Sequence, residues 1–195
     1  MIGVITAGIL LLRIALISDE KDGVINAVSH LTQFFTILTN ILVMVLMFRV
    51  GSGRGVPDLL KLCVVVAIAG VGILYHLLLA HLWSPEGLVW LTDQGVHTVV
   101  PVLTIVWWAI FAEKTNLTFK HSIFAIIWPF IYTLYALTRA QFSGFYPYPF
   151  LNWDELGSTK LTINISVICV GFFVLGVVFI GIARIISARH KNQSA

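Results

Sequence analysis

Read from its first residue, the chain alternates long apolar runs with short polar ones. The apolar runs fall at roughly 2–18, 28–48, 62–82, 93–112, 121–140 and 161–186. Each is long enough to cross about 30 Å of hydrocarbon as an α-helix. The pattern predicts an all-α membrane protein, with six transmembrane helices in one bundle and residues 1–195 as a single domain. The first run follows Met1 directly and no A-x-A-like cleavage site comes after it, so it reads as a retained span rather than a signal peptide.

Polar positions inside the runs are ordered. In the second run Ser29, Thr32, Gln33, Thr36, Thr39 and Asn40 recur at spacings that place them on one helical face about 120° wide. Such a stripe in lipid must face protein or a water-filled cavity. Hydroxyls that only fasten helices contribute about 0.6 kcal/mol per bond, and six polar groups exceed what fastening needs. In the fourth run Gln94, His97, Pro101, Thr104 and Trp108 share a face. Pro101 has no N–H for the His97 carbonyl, which predicts a bend and an unpaired acceptor beside an ionisable side chain. Asp93, one turn before His97, reads as an N-terminal cap of this helix rather than as an acidic partner of His97, the other role open to it.

The other runs bring fewer such groups. Arg13, about four residues from the end of the first, is expected to snorkel to the interface. Gly70 and Gly72 in the third are close-packing positions, followed by Tyr75 and His76, and Trp83 and Trp90 read as belt anchors. Trp128, Tyr132, Tyr135 and Arg139 form one stripe in the fifth, a pattern that by itself reads as core packing. The segment QFSGFYPYPFLNWDELGS lacks helical periodicity and is expected to cap the bundle, and Asn164 lies just inside the last run. At 1.5 Å per residue, Thr36, Tyr75, His76, His97, Tyr132, Tyr135 and Asn164 all lie roughly 5 to 13 Å below the outer boundary. The inner half is nearly bare, so the pattern predicts a cavity open to the outer leaflet.

Composition narrows the class. With 58% hydrophobic residues, 11% charged residues and a mean hydropathy of +0.96, the chain is not a soluble domain. A net charge of +3 is not gathered into a basic face, so nucleic acid is not an expected partner. The cations report topology instead. Arg49, Arg54, Lys61, Lys114, Lys120, Arg184, Arg189 and Lys191 lie on one side, which by the positive-inside rule makes both termini cytoplasmic. Cys63 and Cys169 sit in apolar runs as small hydrophobes, and the sequon at Asn116 falls on the cytoplasmic side and is discounted.

Three chemistries are weighed. A metal centre would want several His or carboxylates at ligand spacing, and no run holds a carboxylate beyond Asp93, so neither a metal nor a cofactor is expected. A conduction path would need polar groups through the inner half as well. A hydroxyl nucleophile with a histidine base needs one Ser or Thr, one His and donors for an oxyanion. Thr36 and His97 fit the first two roles, with Asn40, His76, Gln94, Tyr132, Tyr135, Arg139 and Asn164 as substrate-binding or oxyanion candidates. The alternative is a non-enzymatic cavity that binds a lipid, a quinone or a haem held by His76 and His97.

Three stretches, FFTILTNILV in the second run, QGVHTVVPVL in the fourth and YPYPFL before the sixth, resemble in order those of the androgen-induced gene 1 protein family. That family includes the androgen-dependent regulator of tissue factor pathway inhibitor and bacterial homologues. The resemblance implies a multi-pass membrane threonine hydrolase acting on fatty acid esters of hydroxy fatty acids, here in a bacterial inner membrane and drawing its lipid substrate from the bilayer. By motif position it implies Thr36 as nucleophile and His97 as its partner. The animal members carry an acidic residue three positions after the threonine, where this chain has Thr39.

Overall fold

The structure, a computed structural model, describes residues 1–114 and 116–193, with side chains as far as Ala188. The polar end of the tail, Ser194 and Ala195, lies outside them. All regular structure among the described residues is helical. Four helical stretches, Asp58–Leu82, Gly87–Phe111, Phe119–Ser143 and Trp153–Ala188, are long and apolar enough to cross a membrane, and a fifth joins them if a sharply bent pair counts as one span. The chain divides into two compact units, Met1–Glu113 and a second from Lys114 onward.

The first unit opens with α1 (Ile2–Ser18), the predicted first run almost to the residue. The second run is not one helix: α2 (Val24–Leu31) and α3 (Phe35–Gly51) meet at an angle of 98°. No Pro or Gly marks the break. At the break the Thr32 hydroxyl donates to the carbonyls of Val28 and Ser29, and the helix tightens as Gln33 and Phe34 donate to His30 and Leu31, three residues back. Phe34 then turns extended, at φ −92° and ψ 134°, as the N-cap of α3. The expected single polar stripe is therefore corrected. Ser29 belongs to α2, Thr32 is its C-cap, and Thr36 becomes the second residue of a new helix whose buried side carries Thr36, Thr39 and Asn40.

Next, α4 (Asp58–Leu74) continues into a π turn, Tyr75–Leu79, and α5 (Gly87–Gln94) runs through a second π turn, Gly95–Val99, into α6 (Val100–Phe111). The helix begun by α5 thus starts six residues before the predicted boundary, inside the polar loop. Helix α1 packs on α3, α3 on α4 and α4 on α6. Leu10, Leu31, Ile37 and Val96 form an apolar cluster with Ile9, Ile14, Phe34, Ile41 and Met44 packed around it. That cluster joins the two arms of the bend to α1 and to the second π turn.

In the second unit a 3-10 segment, Phe119–Ile126, leads into α7 (Ile127–Ser143), which ends at Gly144 in the left-handed region with its N–H on Ala140. The segment expected to lack helical structure is shorter than predicted. It contains a 3-10 turn, Pro149–Leu151, and α8 (Trp153–Gln193) begins within it, interrupted only at Gly157 (φ 69°, ψ 171°). The 3-10 segment lies close against α8, where a Cβ on Gly176 would meet Ala125 and Ser122 at 3.1 and 3.2 Å.

Candidate functional site

The second π turn determines how the groups in the first unit meet. In an α-helix Val100 would donate to the carbonyl of Val96; here it donates to Gly95. Pro101 supplies no N–H, so the Val96 carbonyl is left to the side chain of Asn40, whose Nδ2 donates to it at 3.1 Å and to the Thr36 carbonyl at 2.8 Å. The freed acceptor that finds a side chain is thus Val96, one residue before the predicted one. The His97 carbonyl instead lies against α4 at Gly72, where a Cβ would stand 3.3 Å from its oxygen.

This staple sets α3 beside the π turn and brings Thr36 Oγ1 to 3.1 Å from His97 Nε2. The other ring nitrogen, Nδ1, lies 3.0 Å from the Asp93 backbone carbonyl and 3.2 Å from Asp93 Oδ1. Both partners are acceptors, so Nδ1 carries the proton and Nε2 presents a lone pair. Thr36 then donates its hydroxyl hydrogen to Nε2. Thr36 is 6% exposed and Asp93 1%, while the His97 side chain between them is 14% exposed, so the hydrogen bonds are largely shielded and the imidazole is reachable.

Asp93 does not cap a helix, because α5 begins at Gly87 and Asp93 falls near its end, buried. Its Oδ2 accepts a 2.5 Å hydrogen bond from the Tyr75 hydroxyl, and the Tyr75 ring stacks on His97 with centroids 3.8 Å apart and planes 9° from parallel. Arg13 reaches the start of the same helix and the Trp83 read as a belt anchor. Its Nη1 donates to the Val89 carbonyl and to Thr92 Oγ1, both at 3.3 Å, and its guanidinium lies over Trp83.

The remaining sequence candidates separate into groups. Both amide hydrogens of Asn40 rest on carbonyls, which corrects its reading as an oxyanion donor; a flipped amide would set oxygen against two carbonyl oxygens. Gln94 and His76 belong to an adjacent chain of bonds. Thr98 donates to Gln94 Oε1 at 2.9 Å, so its oxygen accepts from His76 Nε2 at 3.0 Å, and His76 is exposed. Tyr132, Tyr135, Arg139 and Asn164 lie in the second unit. There Arg139 donates to the Tyr135 hydroxyl at 2.9 Å, Tyr132 is buried between the rings of Tyr135 and Tyr148, and Asn164 holds the Phe150 carbonyl at 3.0 Å. Sequence reasoning set Tyr75 at the depth of Thr36 and His97 but gave it no role, and preferred a helix cap to an acidic partner of His97 for Asp93. The spacing of Asp93 and His97, four apart on a helix, was the signal for one; no local signal marks the other. Compared with protein-family models, curated proteins and solved structures, the chain gives no match.

Proposed function

We propose that this protein is an integral membrane hydrolase of lipid esters, with Thr36 as nucleophile, His97 as general base and Asp93 as the group that orients the imidazole. The observation that carries the reading is the hydroxyl–imidazole–carboxylate line, 3.1 Å at Nε2 and 3.2 Å at Nδ1, in one buried place. His97 Nε2 takes the Thr36 proton as Oγ1 attacks the ester carbonyl carbon. His97 then returns that proton to the departing alcohol oxygen, leaving an acyl-threonine. Water, deprotonated by the same nitrogen, cleaves the acyl group as a carboxylic acid and restores the hydroxyl.

The break before α3 adds the electrostatic part. The first bond of α3 is donated by Leu38 to Phe34, so the N–H groups of Thr36 and Ile37 have no acceptor within the helix. They stand beside the nucleophile at the positive end of the helix dipole, where a tetrahedral oxyanion develops.

The wider reading has six spans, formed by α1, the bent α2–α3 pair and the four long stretches, with both termini cytoplasmic. The motif resemblance supports a bacterial inner-membrane protein and, as substrates, fatty acid esters of hydroxy fatty acids. The test is turnover of a fluorogenic acyl ester by the protein in lipid nanodiscs. Thr36→Ala and His97→Ala are each expected to reduce kcat at least about 10³-fold without altering thermal stability. Turnover within tenfold of wild type in either variant rejects the mechanism.

A further inference from the structure

We propose that Tyr75 is a positioning residue for His97, acting on it from two directions at once; the inference rests on the reading of His97 as the base. Through its hydroxyl, Tyr75 holds Asp93 Oδ2 at 2.5 Å, which turns the other carboxylate oxygen toward His97 Nδ1. Through its ring, stacked at 3.8 Å and 9° on the imidazole, it blocks the rotation that would carry Nε2 away from Thr36. Tyr75 is 5% exposed and belongs to the π turn that continues α4, while Asp93 and His97 belong to the helix begun by α5. It therefore connects two separate stretches of chain at the point where the base is held.

Both stretches are deformed to allow this. Tyr75 opens the first π turn and His97 sits at the centre of the second. Gly72, one turn before Tyr75, brings α4 against the backbone of His97, where any side chain would meet the carbonyl at 3.3 Å. π turns recur at functional sites because the extra residue re-aims a side chain without ending the helix. Two facing π turns and a glycine contact place one aromatic ring flat on the imidazole. When His97 accepts the Thr36 proton, the electron-rich phenol face and the Asp93 carboxylate both stabilise the imidazolium.

The experiment uses the full chain in nanodiscs, labelled with nitrogen-15 histidine, the His97 signals being identified by their loss in His97→Asn. Two quantities are read: the chemical shift of the His97 Nδ1–H proton, and kcat and KM for 4-methylumbelliferyl heptanoate. In wild type the ring carries its proton on Nδ1. Tyr75→Phe keeps the ring and removes the hydroxyl; the Asp93 backbone oxygen still holds the proton on Nδ1, and the expected result is a displaced Oδ1, seen as an upfield shift of the Nδ1–H proton, with a kcat lower by about tenfold at KM within twofold, the value of one buried hydrogen bond. Tyr75→Leu, which also removes the stack, is expected to lower kcat by about 100-fold. A Tyr75→Phe protein whose Nδ1–H proton shift matches wild type overturns the proposal whatever its kcat, and so does kcat within twofold of wild type. If wild type hydrolyses no ester, the hydrolase reading falls, and the nitrogen spectra of Tyr75→Phe alone still decide whether Tyr75 positions the imidazole.

Discussion

His97 has two ring nitrogens, and the proposed chemistry depends on which one carries the proton. Asp93 supplies two acceptors to Nδ1, the backbone oxygen at 3.0 Å and Oδ1 at 3.2 Å. Asp93→Asn puts an amide in place of the carboxylate; its NH₂ group can face Nδ1 and favour the proton on Nε2, which removes the acceptor for the Thr36 hydrogen. The same exchange of tautomer in the serine-protease triad costs about 10⁴-fold in kcat, and a loss of about 10² to 10⁴-fold is expected here, measured on a fluorogenic ester. Asn40 makes a complementary case. Asn40→Ala leaves the carbonyls of Thr36 and Val96 without their side-chain donor in a place that is 0% exposed, with an expected loss of about 2 kcal/mol in stability by denaturant titration. Thr36, His97 and Asn40 were legible as candidates because a polar group inside an apolar run stands out against its neighbours. Asn40's function was not legible, since what an amide donates to is a property of the facing helix.

The helices show a second kind of information. Pro101 made a disturbance near His97 readable from sequence, because a missing N–H is a covalent fact. The form of the disturbance, a π turn that shifts the free carbonyl to Val96, was settled by what Asn40 and Gly72 offer from outside the helix. Pro101→Ala restores an N–H that competes with Asn40 for these carbonyls and lets an α turn re-form. The expected outcome is an unchanged or higher melting temperature together with at least a fivefold fall in kcat, because His97 turns with the helix. Gly72→Val should do the reverse, lowering stability by about 1 to 3 kcal/mol as α4 is pushed from His97, read in a thermal melt. The bend between α2 and α3 was invisible beforehand for a simpler reason. Residues Thr32 to Phe34 contain neither Pro nor Gly, and a hydroxyl that bonds back to its own helix is equally at home in a straight one.

Across the whole molecule, charge and apolar length act together. The six-span topology proposed above sets Glu20 and Glu86 on the outer side and Ser52 on the inner side, and all three residues are exposed. In a background with Cys63 and Cys169 changed to Ala, cysteines placed at Glu20 and Glu86 are expected to react with a membrane-impermeant maleimide in intact cells, and one at Ser52 only after lysis. Labelling of Ser52→Cys in intact cells reverses the topology.

The helical class, the near-exact first helix and the approximate places of the later spans were determined by the sequence itself. Apolar length and the unfavourable burial of polar backbone act along the chain and need no partner. The angle at the α2–α3 break, the face that Thr36 turns to His97, and the joining of Tyr75 to Asp93 and His97 were decided only by the tertiary structure. Each depends on the direction in which one helix leaves another, and at about 100° per residue a single shifted hydrogen bond rotates every side chain that follows.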